Sequence, residues 1–394
     1  MSLPQSIMKP FLYSVSLCAL LTTPAFAAED KHTHHGHNHA AHAGDTPHFF
    51  GHIDVLVHGD SIYSADDKDT EISEAYTHSH AEIGFAFNEK LSIQSSVKLE
   101  GESAAGGHGG GGPAGQDRFF DDHPLLIEQL TINYDTKNYA LYAGKFNPVV
   151  GIDYHDTPGI WTYQALEEYS IRERIGFGGA VKVDGVDYGQ HRLDVSTFFA
   201  DTTALSGSVL FDRGDTQKSD GGLSNTESFE SFAVSLGGSE FYSLDVDFIT
   251  DLTYRIGFAK QAAGEGGTDD ETRYSLALGY NPKITETLSA RTFVEYVDIS
   301  HLEGEADHDR ANLTAGAGLY HGPWNTAVSY THINNTAEDV DEGKDGHVFQ
   351  VSGGYRLQEG ALKGLGFDVG WKTQEEEGKQ RDTVGALVSY AFAF

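Results

Sequence analysis

Apolar and polar residues alternate along almost the whole chain after residue 47, and a period of two indicates β-strands. From Arg273 to Tyr280, every second residue is Tyr or Leu, while Arg, Ser, Ala and Gly occupy the positions between them. Comparable patterns occur around 247–258 and 365–372. Sixteen segments are predicted as strands: 49–59, 76–88, 90–101, 124–135, 138–147, 169–183, 187–200, 229–238, 247–260, 271–281, 285–299, 310–321, 323–334, 346–358, 364–374 and 382–394.

The connections between these predicted strands alternate between short and long. The short ones are 88–89, 135–137, 184–185, 281–283 and 322–323, with looser ones at 239–246 and 359–363. The long ones are 60–74, 102–123, 148–168, 201–228, 261–270, 300–309, 335–345 and 375–381. Such alternation is typical of transmembrane barrels, in which periplasmic turns occupy one rim and longer loops occupy the other.

A β-sandwich would give the same alternation of apolar and polar positions, so the polar faces are needed to choose between the two folds. These faces carry Arg, Asp, Lys and Gly, as expected for a wet lumen enclosed by an apolar exterior. We therefore predict an all-β protein, a transmembrane antiparallel β-barrel of 16 strands over residues 49–394.

The last predicted strand has one apolar face that ends in the terminal aromatic residue. This face consists of Val384, Ala386, Val388, Tyr390, Phe392 and Phe394. It resembles the last strand of Gram-negative outer-membrane barrels, which ends in an aromatic residue preceded by apolar residues at every second position. The resemblance implies an outer-membrane location in a Gram-negative bacterium and recognition by the barrel-insertion machinery. The alternative is the C-terminal strand of a soluble sheet.

A second resemblance is carried by Leu125–Leu130, a turn, and Tyr139–Pro148, which are similar to porins of the phosphate-selective and siderophore-porin kind. There, two strands lead into a Gly-Lys/Arg-Phe-x-Pro corner and a long loop. The resemblance implies that loop 148–168 folds into the lumen and narrows it. If the loop stays outside, its acidic residues are ordinary solvated charges. The predicted pore constriction consists of Lys145, Asp153, Asp156, Glu167, Glu168, Arg172 and Arg174.

The two arginines of this set are assigned by alternation. Ile171, Ile175 and Phe177 share one face of predicted strand 169–183. Arg172 and Arg174 are therefore predicted to point into the lumen, opposite the acidic residues of the loop. Charged groups arranged in this way across a lumen are a common basis of pore selectivity.

The N-terminus is typical of a secretory signal peptide. A basic start at Lys9 precedes the apolar run 11–21, and Ala25 to Ala27 form an A-x-A cleavage site. We expect residues 1–27 to be removed and residues 28–48 to form a His-rich periplasmic tract. The single cysteine, Cys18, would leave with the signal peptide. The mature chain would then have no disulfide, thiolate metal site or cysteine nucleophile.

The composition excludes several classes of function. The 394 residues contain 26 basic and 59 acidic side chains, a formal net charge of −33, so nucleic acid is not an expected partner. The glycine run 106–112 lacks the Lys-Ser/Thr of a phosphate-binding loop, and no Ser/His/Asp arrangement can be assigned. We expect no enzyme activity. The acidic loops suit cations, divalent bridges to lipopolysaccharide, or simple solvation.

Histidine is concentrated in two places. The N-terminal tract contains His32, His34, His35, His37, His39, His42 and His48, a density typical of a flexible metal-binding segment or of a tolerated low-complexity tail. Alternation places a second set on the lumen face of two neighbouring strands: His52, Asp54, His58, His78, His80 and Glu82. Imidazole and carboxylate ligands suit zinc, and imidazole also suits copper or nickel.

The favoured function is therefore an outer-membrane porin-type channel for passive diffusion of small solutes, with metal ions such as zinc or metal complexes as cargo. The alternative is a metal-sequestering outer-membrane protein whose barrel is only an anchor. No cofactor is required, although zinc or another divalent metal is a candidate ligand. Expected partners are membrane lipid, lipopolysaccharide, small solutes or metal ions and the insertion machinery, and a homotrimer is a candidate assembly.

Overall fold

The structure, a computed structural model, describes residues 46–101, 115–185, 188–241, 249–266, 269–337 and 345–394. The predicted signal peptide and the tract histidines from His32 to His42 lie outside these residues. Within the described ranges, no helix is both long enough and apolar enough to cross a membrane.

Sixteen long strands follow one another along the chain. They are β1 (His48–Ala65), β2 (Ser73–Ala86), β3 (Leu91–Glu100), β4 (Leu125–Asp135), β5 (Tyr139–Phe146), β6 (Arg174–Gly185), β7 (Gly189–Ala200), β8 (Ser231–Ser239), β9 (Leu252–Gln261), β10 (Glu271–Tyr280), β11 (Leu288–Ser300), β12 (Asp309–His321), β13 (Trp324–Thr336), β14 (Gly346–Arg356), β15 (Gly366–Glu376) and β16 (Lys379–Ala393). Two-residue strands occur at Arg118–Phe119 and Ser208–Val209, and helix α1 spans Thr162–Glu168. The 3₁₀ turns are Lys68–Thr70, Tyr154–Asp156, Lys218–Asp220 and Leu302–Gly304.

Each long strand pairs antiparallel with the next, and the last strand pairs with the first. In the closing pair, His52 lies opposite Ala393 and Val57 opposite Val388. The terminal residue completes this seam, because Phe394 and Gly51 exchange backbone hydrogen bonds of 2.9 and 3.1 Å. The chain therefore forms a closed 16-stranded barrel, as predicted.

The alternation in sequence becomes an inside and an outside of the barrel. On β10, Leu276 and Leu278 are half exposed on the outer face, whereas Arg273 and Ser275 are buried on the inner face. Phe392 of β16 and the terminal residue Phe394 are likewise exposed outside. An apolar exterior around a polar interior is the arrangement of transmembrane barrels.

Strand β6 begins later than predicted, at Arg174 instead of residue 169. Glu173 has a left-handed backbone with φ of 55°, which ends the extended conformation before the strand. Ile171 was expected on the lipid face with Ile175 and Phe177, but it is buried in an internal cluster with Phe146. The prediction for Ile171 was wrong because this residue still belongs to the preceding loop.

The segment that leaves the wall after β5 is the lumen loop, residues 147–173. Strand β5 approaches β4 so closely at Gly144 that a Cβ there would lie 2.1 Å from the Leu130 carbonyl oxygen. Both ends of the loop meet at Asn147, whose side chain accepts a 2.8 Å hydrogen bond from the Glu173 backbone. Where the lumen loop leaves the barrel wall, the two-residue strand Ser208–Val209 pairs with β4 and extends the sheet.

Candidate functional site

The lumen loop is attached to opposite sides of the barrel interior. On one side, Trp161 donates a 2.9 Å hydrogen bond from its indole nitrogen to Asp60 of β1. On the other side, Glu295 of β11 accepts hydrogen bonds from the Ile152 backbone at 2.8 Å and from the Tyr169 hydroxyl at 2.9 Å. The loop therefore crosses the lumen, which is the position that the porin resemblance implied.

Apolar packing holds the loop on β11. Leu166 and Tyr169 from the loop are buried against Val297 and Ile299, which face inward on that strand. Apolar side chains on a lumen face depart from the polar interior expected of a wide channel. Burial of an apolar side chain stabilises a contact by about 1.5–3 kcal/mol, so these residues are a strong reason for the loop to dock here.

A buried charge cluster attaches the loop to β3 and β4. Lys98 Nζ lies 3.0 Å from Glu167, 3.3 Å from Glu128 and 3.5 Å from Glu100. Arg172 pairs with the same Glu167 carboxylate. Burial alone would raise the pKa of Glu167, but Lys98 and Arg172 hold that pKa below its usual value. Glu167 thus stays ionised and joins helix α1 to the wall.

The remaining predicted constriction residues are also engaged in pairs. Glu168 contacts Arg310 at 2.7 Å, and Asp156 lies 3.7 Å from Arg291. Asp153 caps the turn Tyr154–Asp156 by accepting from the His155 backbone. Acidic groups of the loop thus lie next to basic groups of the wall, in the pairs Glu168–Arg310 and Asp156–Arg291.

Lys145 and Arg174 lie apart from these loop pairs. Lys145 is fully buried, 2.7 Å from Glu173 and 3.0 Å from Asp201. Arg174 donates to Gln261 at 3.0 Å. Lys145 therefore serves the junction between the lumen loop and the connection after β7.

The inward residues of β1 and β2 form a surface that we call the histidine wall: His52, Asp54, His58, His78, His80 and Glu82. The strand register explains their proximity, because His52 lies opposite Glu82 and Asp54 lies opposite His80. At the centre of the wall, the carboxylate of Asp54 lies 2.9 Å from His80 Nε2 and 3.5 Å from His52 Nε2.

Three of these residues could hold a metal ion. Ligand atoms of His52, Asp54 and His80 all lie within 4.8 Å of one another. Glu82 lies beside this group, with its carboxylate 3.7 Å from Nδ1 of His52. Two imidazoles and a carboxylate are a ligand set that zinc accepts, with further positions open to water or another donor.

The other two wall histidines lie behind the lumen loop. His58 is almost fully buried and stacks on Tyr76, with ring centroids 4.8 Å apart. His78 lies 2.6 Å from Glu100 and packs against Tyr163 of the loop. The structure therefore does not gather all four histidines around one point.

A second group of candidate ligands consists of His78, Glu100 and Glu167. Lys98 lies between its two carboxylates at hydrogen-bond distance from Glu167. The Lys98 ammonium group already neutralises these carboxylates, so a metal cation would have to displace Lys98. The group is better described as the attachment of the loop than as a metal site.

Further along the barrel, inward arginines occupy strands β6 to β12 and form a surface that we call the arginine wall. Its members are Arg174, Arg192, Arg255, Arg273, Arg291 and Arg310. Arg192 pairs with Asp194 at 2.7 Å, and Arg273 pairs with Glu271 at 2.5 Å. Guanidinium groups have no acceptor, so this wall cannot ligate a cation.

Several residues that position the loop were not predicted from the sequence, among them Asp60, Lys98, Glu128 and Glu295. Lys98, Glu128 and Glu295 lie at inward positions of predicted strands, so alternation could have placed them on the lumen face. Asp60 lies in the predicted connection 60–74, which the structure shows to be part of β1 up to Ala65. Nothing in the local pattern indicates which of them meets the loop. His155 lies in the predicted loop 148–168, and nothing in the sequence connects it with the wall histidines, although its ring lies 5.0 Å from that of His80.

No family model matches the sequence, and no curated protein matches it. Among solved structures, the chain is similar to the outer membrane channel DcaP of Acinetobacter baumannii, with 10% sequence identity and a TM-score of 0.54. The match covers 88% of this chain and 96% of that protein. It supports the 16-stranded outer-membrane barrel as the fold.

A second similar structure is OpdK of Pseudomonas aeruginosa with vanillate, at 11% identity and a TM-score of 0.49, covering 88% of this chain and 99% of that protein. At these identities the likeness concerns the fold. The predicted class of fold, a Gram-negative outer-membrane barrel, is confirmed, whereas the narrower resemblance to phosphate-selective and siderophore porins stays a prediction.

Proposed function

We propose that the protein is an outer-membrane channel for passive diffusion of small solutes, with divalent metal ions, zinc in particular, as favoured cargo. The observation that carries the proposal is the His52–Asp54–His80 group on the lumen face of a closed barrel. A passage site must bind its ion well enough to admit it and loosely enough to release it. His52, Asp54 and His80 supply three ligands, which would bind the ion. Because these residues are partly exposed, water could occupy the remaining coordination positions and allow release.

The charge of the chain supports the same cargo. A formal net charge of −33 attracts cations to the protein. The tract over residues 28–48 would bind the same metals through imidazole. Strand β1 begins at its last residue, His48, on the rim of the short turns. We infer that the tract captures zinc next to the periplasmic mouth.

The outer-membrane location is part of the proposal. It rests on the apolar exterior, the closed antiparallel pairing and the fold shared with an outer-membrane channel. Lipid and lipopolysaccharide are the partners that such an exterior requires. Catalytic activity is not part of the proposal.

Zinc flux into proteoliposomes tests the cargo. We expect entry of zinc to exceed entry of magnesium, because magnesium prefers oxygen ligands and holds its water shell. Replacing His52 with Ala should remove the preference. The matched control is His191→Ala, since both ring nitrogens of His191 already contact Tyr254 and Tyr188. Equal entry of the two metals through the wild-type barrel would refute the cargo assignment.

The second candidate function is a metal-sequestering surface protein with the barrel as anchor. The attachment of the lumen loop to both β1 and β11 favours it, because such a loop obstructs diffusion. Planar-bilayer recording separates the two functions. A diffusion channel gives steady open current, whereas a sequestering anchor binds zinc without steady current.

A further inference from the structure

A cavity lies between helix α1 of the lumen loop and the inner face of strands β12 to β15. Its empty space is about 530 Å³, part of which is open to solvent, and small-molecule sites commonly have about 300–1,000 Å³. The loop lines it with Trp161, Gln164, Ala165 and Glu168, which are spaced as one face of a helix. The described lining includes no residue of the histidine wall, so the cavity is separate from the candidate metal site.

The cavity lies at the ends of the wall strands that lead into long connections. Asn312 is near the start of β12, Ile333 near the end of β13 and Val348 near the start of β14. These strand ends adjoin the connections 300–309 and 335–345. Long connections occupy the extracellular rim of outer-membrane barrels. The cavity therefore faces the extracellular side.

The lumen loop contacts the same strands on the side of the cavity that faces the short turns. The Trp161 backbone donates a 3.1 Å hydrogen bond to the Gln350 side chain of β14. The Thr162 hydroxyl lies 3.1 Å from the Ser329 hydroxyl of β13. Both contacts are nearer the short-turn rim than the lining residues of these strands. A solute that enters from outside would thus meet the loop as a floor.

The charges around the cavity are balanced by neighbours. The charged groups in its lining are Glu168, Glu375, Glu376 and Lys372. Glu168 pairs with Arg310 at 2.7 Å, and Glu376 pairs with Arg381 at 2.9 Å. Lys372 donates a 3.0 Å hydrogen bond to Gln164. An anion would be repelled by the carboxylates and a cation by the basic groups, so the lining favours an uncharged solute.

One polar group of the lining has a donor to offer. Asn312 is only 4% exposed, and its amide nitrogen has no hydrogen-bond partner among the described residues. Buried polar atoms nearly always have a partner, and each exception needs an explanation. The last torsion of an Asn side chain is broad, so the amide can turn this donor toward an oxygen of a bound molecule. Ile333 and Val348 provide apolar surface for its carbon atoms.

We propose that this cavity binds a small uncharged solute rich in hydroxyl or carbonyl oxygens, of the size of a monosaccharide, on the extracellular side of the lumen loop. Asn312 donates a hydrogen bond to the solute, and the loop retains it at the entrance of the barrel. The inference goes beyond the proposed function, because the site uses none of the candidate metal ligands.

Saturation-transfer NMR on the full-length protein, in a detergent without a sugar headgroup, tests the solute class. The probes are glucose, glucuronate and protonated glucosamine, which share one ring and differ in charge. Glucose should bind saturably, and the two charged sugars should bind about tenfold more weakly or not at all. Equal affinity for the three probes, or a preference for a charged one, would overturn the assignment.

The variant Asn312→Leu tests the residue. Loss of the donor at nearly constant size should weaken glucose binding by about 3–10-fold. The matched control is Asn334→Leu, because Asn334 occupies the neighbouring ladder position on the exposed outer face. Heat-modifiable gel migration verifies folding. If Asn312→Leu does not fold, Ala165→Phe fills the cavity from the loop side and should abolish binding. Wild-type affinity in the folded variant would refute the site.

Cysteine labelling of intact cells tests the extracellular position, since the mature chain is expected to have no other cysteine. A membrane-impermeant maleimide should label Val348→Cys, and glucose should slow this reaction. Ser352→Cys, on the same face of β14 beyond the loop contact at Gln350, is the control. It should react more slowly and without protection by glucose. Equal labelling of the two cysteines would overturn the position of the site.

The same measurements separate this inference from the proposed function. Glucose binding should be unchanged in His52→Ala, which removes the zinc preference if the cargo assignment is correct. Absence of zinc flux with glucose binding intact would refute the cargo and leave this site. Absence of glucose binding in a barrel that passes zinc would refute this site and leave the cargo.

Discussion

The histidine wall and the arginine wall line the same lumen but differ in what their side chains offer a cation. On the arginine wall, Arg192 and Arg310 are matched by the carboxylates of Asp194 and Glu168. On the histidine wall, carboxylates occupy one nitrogen of His78 and one of His80, and the second nitrogen of each has no partner among the described residues.

The difference follows from the chemistry of the two side chains. A guanidinium ion only donates hydrogen bonds and stays charged, so a neighbouring carboxylate completes its requirements. A neutral imidazole that donates to a carboxylate still has a lone pair, which is a metal ligand. Two walls of one lumen can therefore treat cations differently, one by repelling or ignoring them and the other by coordinating them.

Both walls exist only in a closed barrel, so the largest effect is expected from deletion of Phe394. The deletion removes the residue that pairs with Gly51 at the seam and ends the predicted insertion signal. We expect most of the heat-modifiable folded band to disappear from gels of outer-membrane fractions. Phe367→Ala, which removes a comparably exposed outer aromatic from β15, is the control. Normal assembly of the deletion would contradict the role given to the terminal strand.

The next effect is expected on the histidine wall, from Asp54→Asn. Asp54 is one of the three candidate ligands, and its carboxylate also contacts His80 and His52. Loss even of a carboxylate that only orients a metal-bound histidine typically weakens metal affinity by about 10–100-fold. Zinc affinity, measured by competition with a chelator, should fall within that range. On the arginine wall, Asp194→Asn should leave zinc affinity unchanged, because Arg192 cannot bind the metal. Equal effects of the two variants would remove the distinction between the walls.

A smaller effect is expected from replacing Arg172 and Arg174 together with Ala. The Glu167 carboxylate loses one of its two cationic partners, and the field around the loop becomes more negative. The reversal potential in a salt gradient should shift by several millivolts toward cation selectivity. Lys363→Ala, which removes an exposed cation beyond β14, should produce no shift. An unchanged potential in the double variant would place the selectivity of the pore elsewhere.

The smallest effect on conductance is expected from removal of residues 31–46. Zinc stoichiometry should fall while the single-channel conductance stays nearly constant, since the barrel strands begin at His48. Only neutral imidazole coordinates metal, so the zinc bound by the tract should be released as pH falls through about 6.5. Calorimetry of both proteins at two pH values measures this difference. The same stoichiometry in both would exclude the tract as a metal site.

Much of the barrel was predictable because strand alternation is a local property. The predicted strand 310–321 became Asp309–His321, and 323–334 became Trp324–Thr336. Side chains two residues apart share a face whatever the rest of the chain does. For the same reason, alternation alone assigns His52, Asp54, His78 and His80 to one face of their strands before the register is known.

The sequence by itself therefore determined the strands, their faces and the apolar C-terminal seam. The tertiary structure decided which groups meet across the lumen. Tyr169 and Glu295 are 126 positions apart, and no periodicity relates a loop to a distant strand. Ile171 became internal and His155 approached His80 for the same reason: the course of the loop is set by its docking on Val297 and Ile299, which depends on closure of the whole barrel.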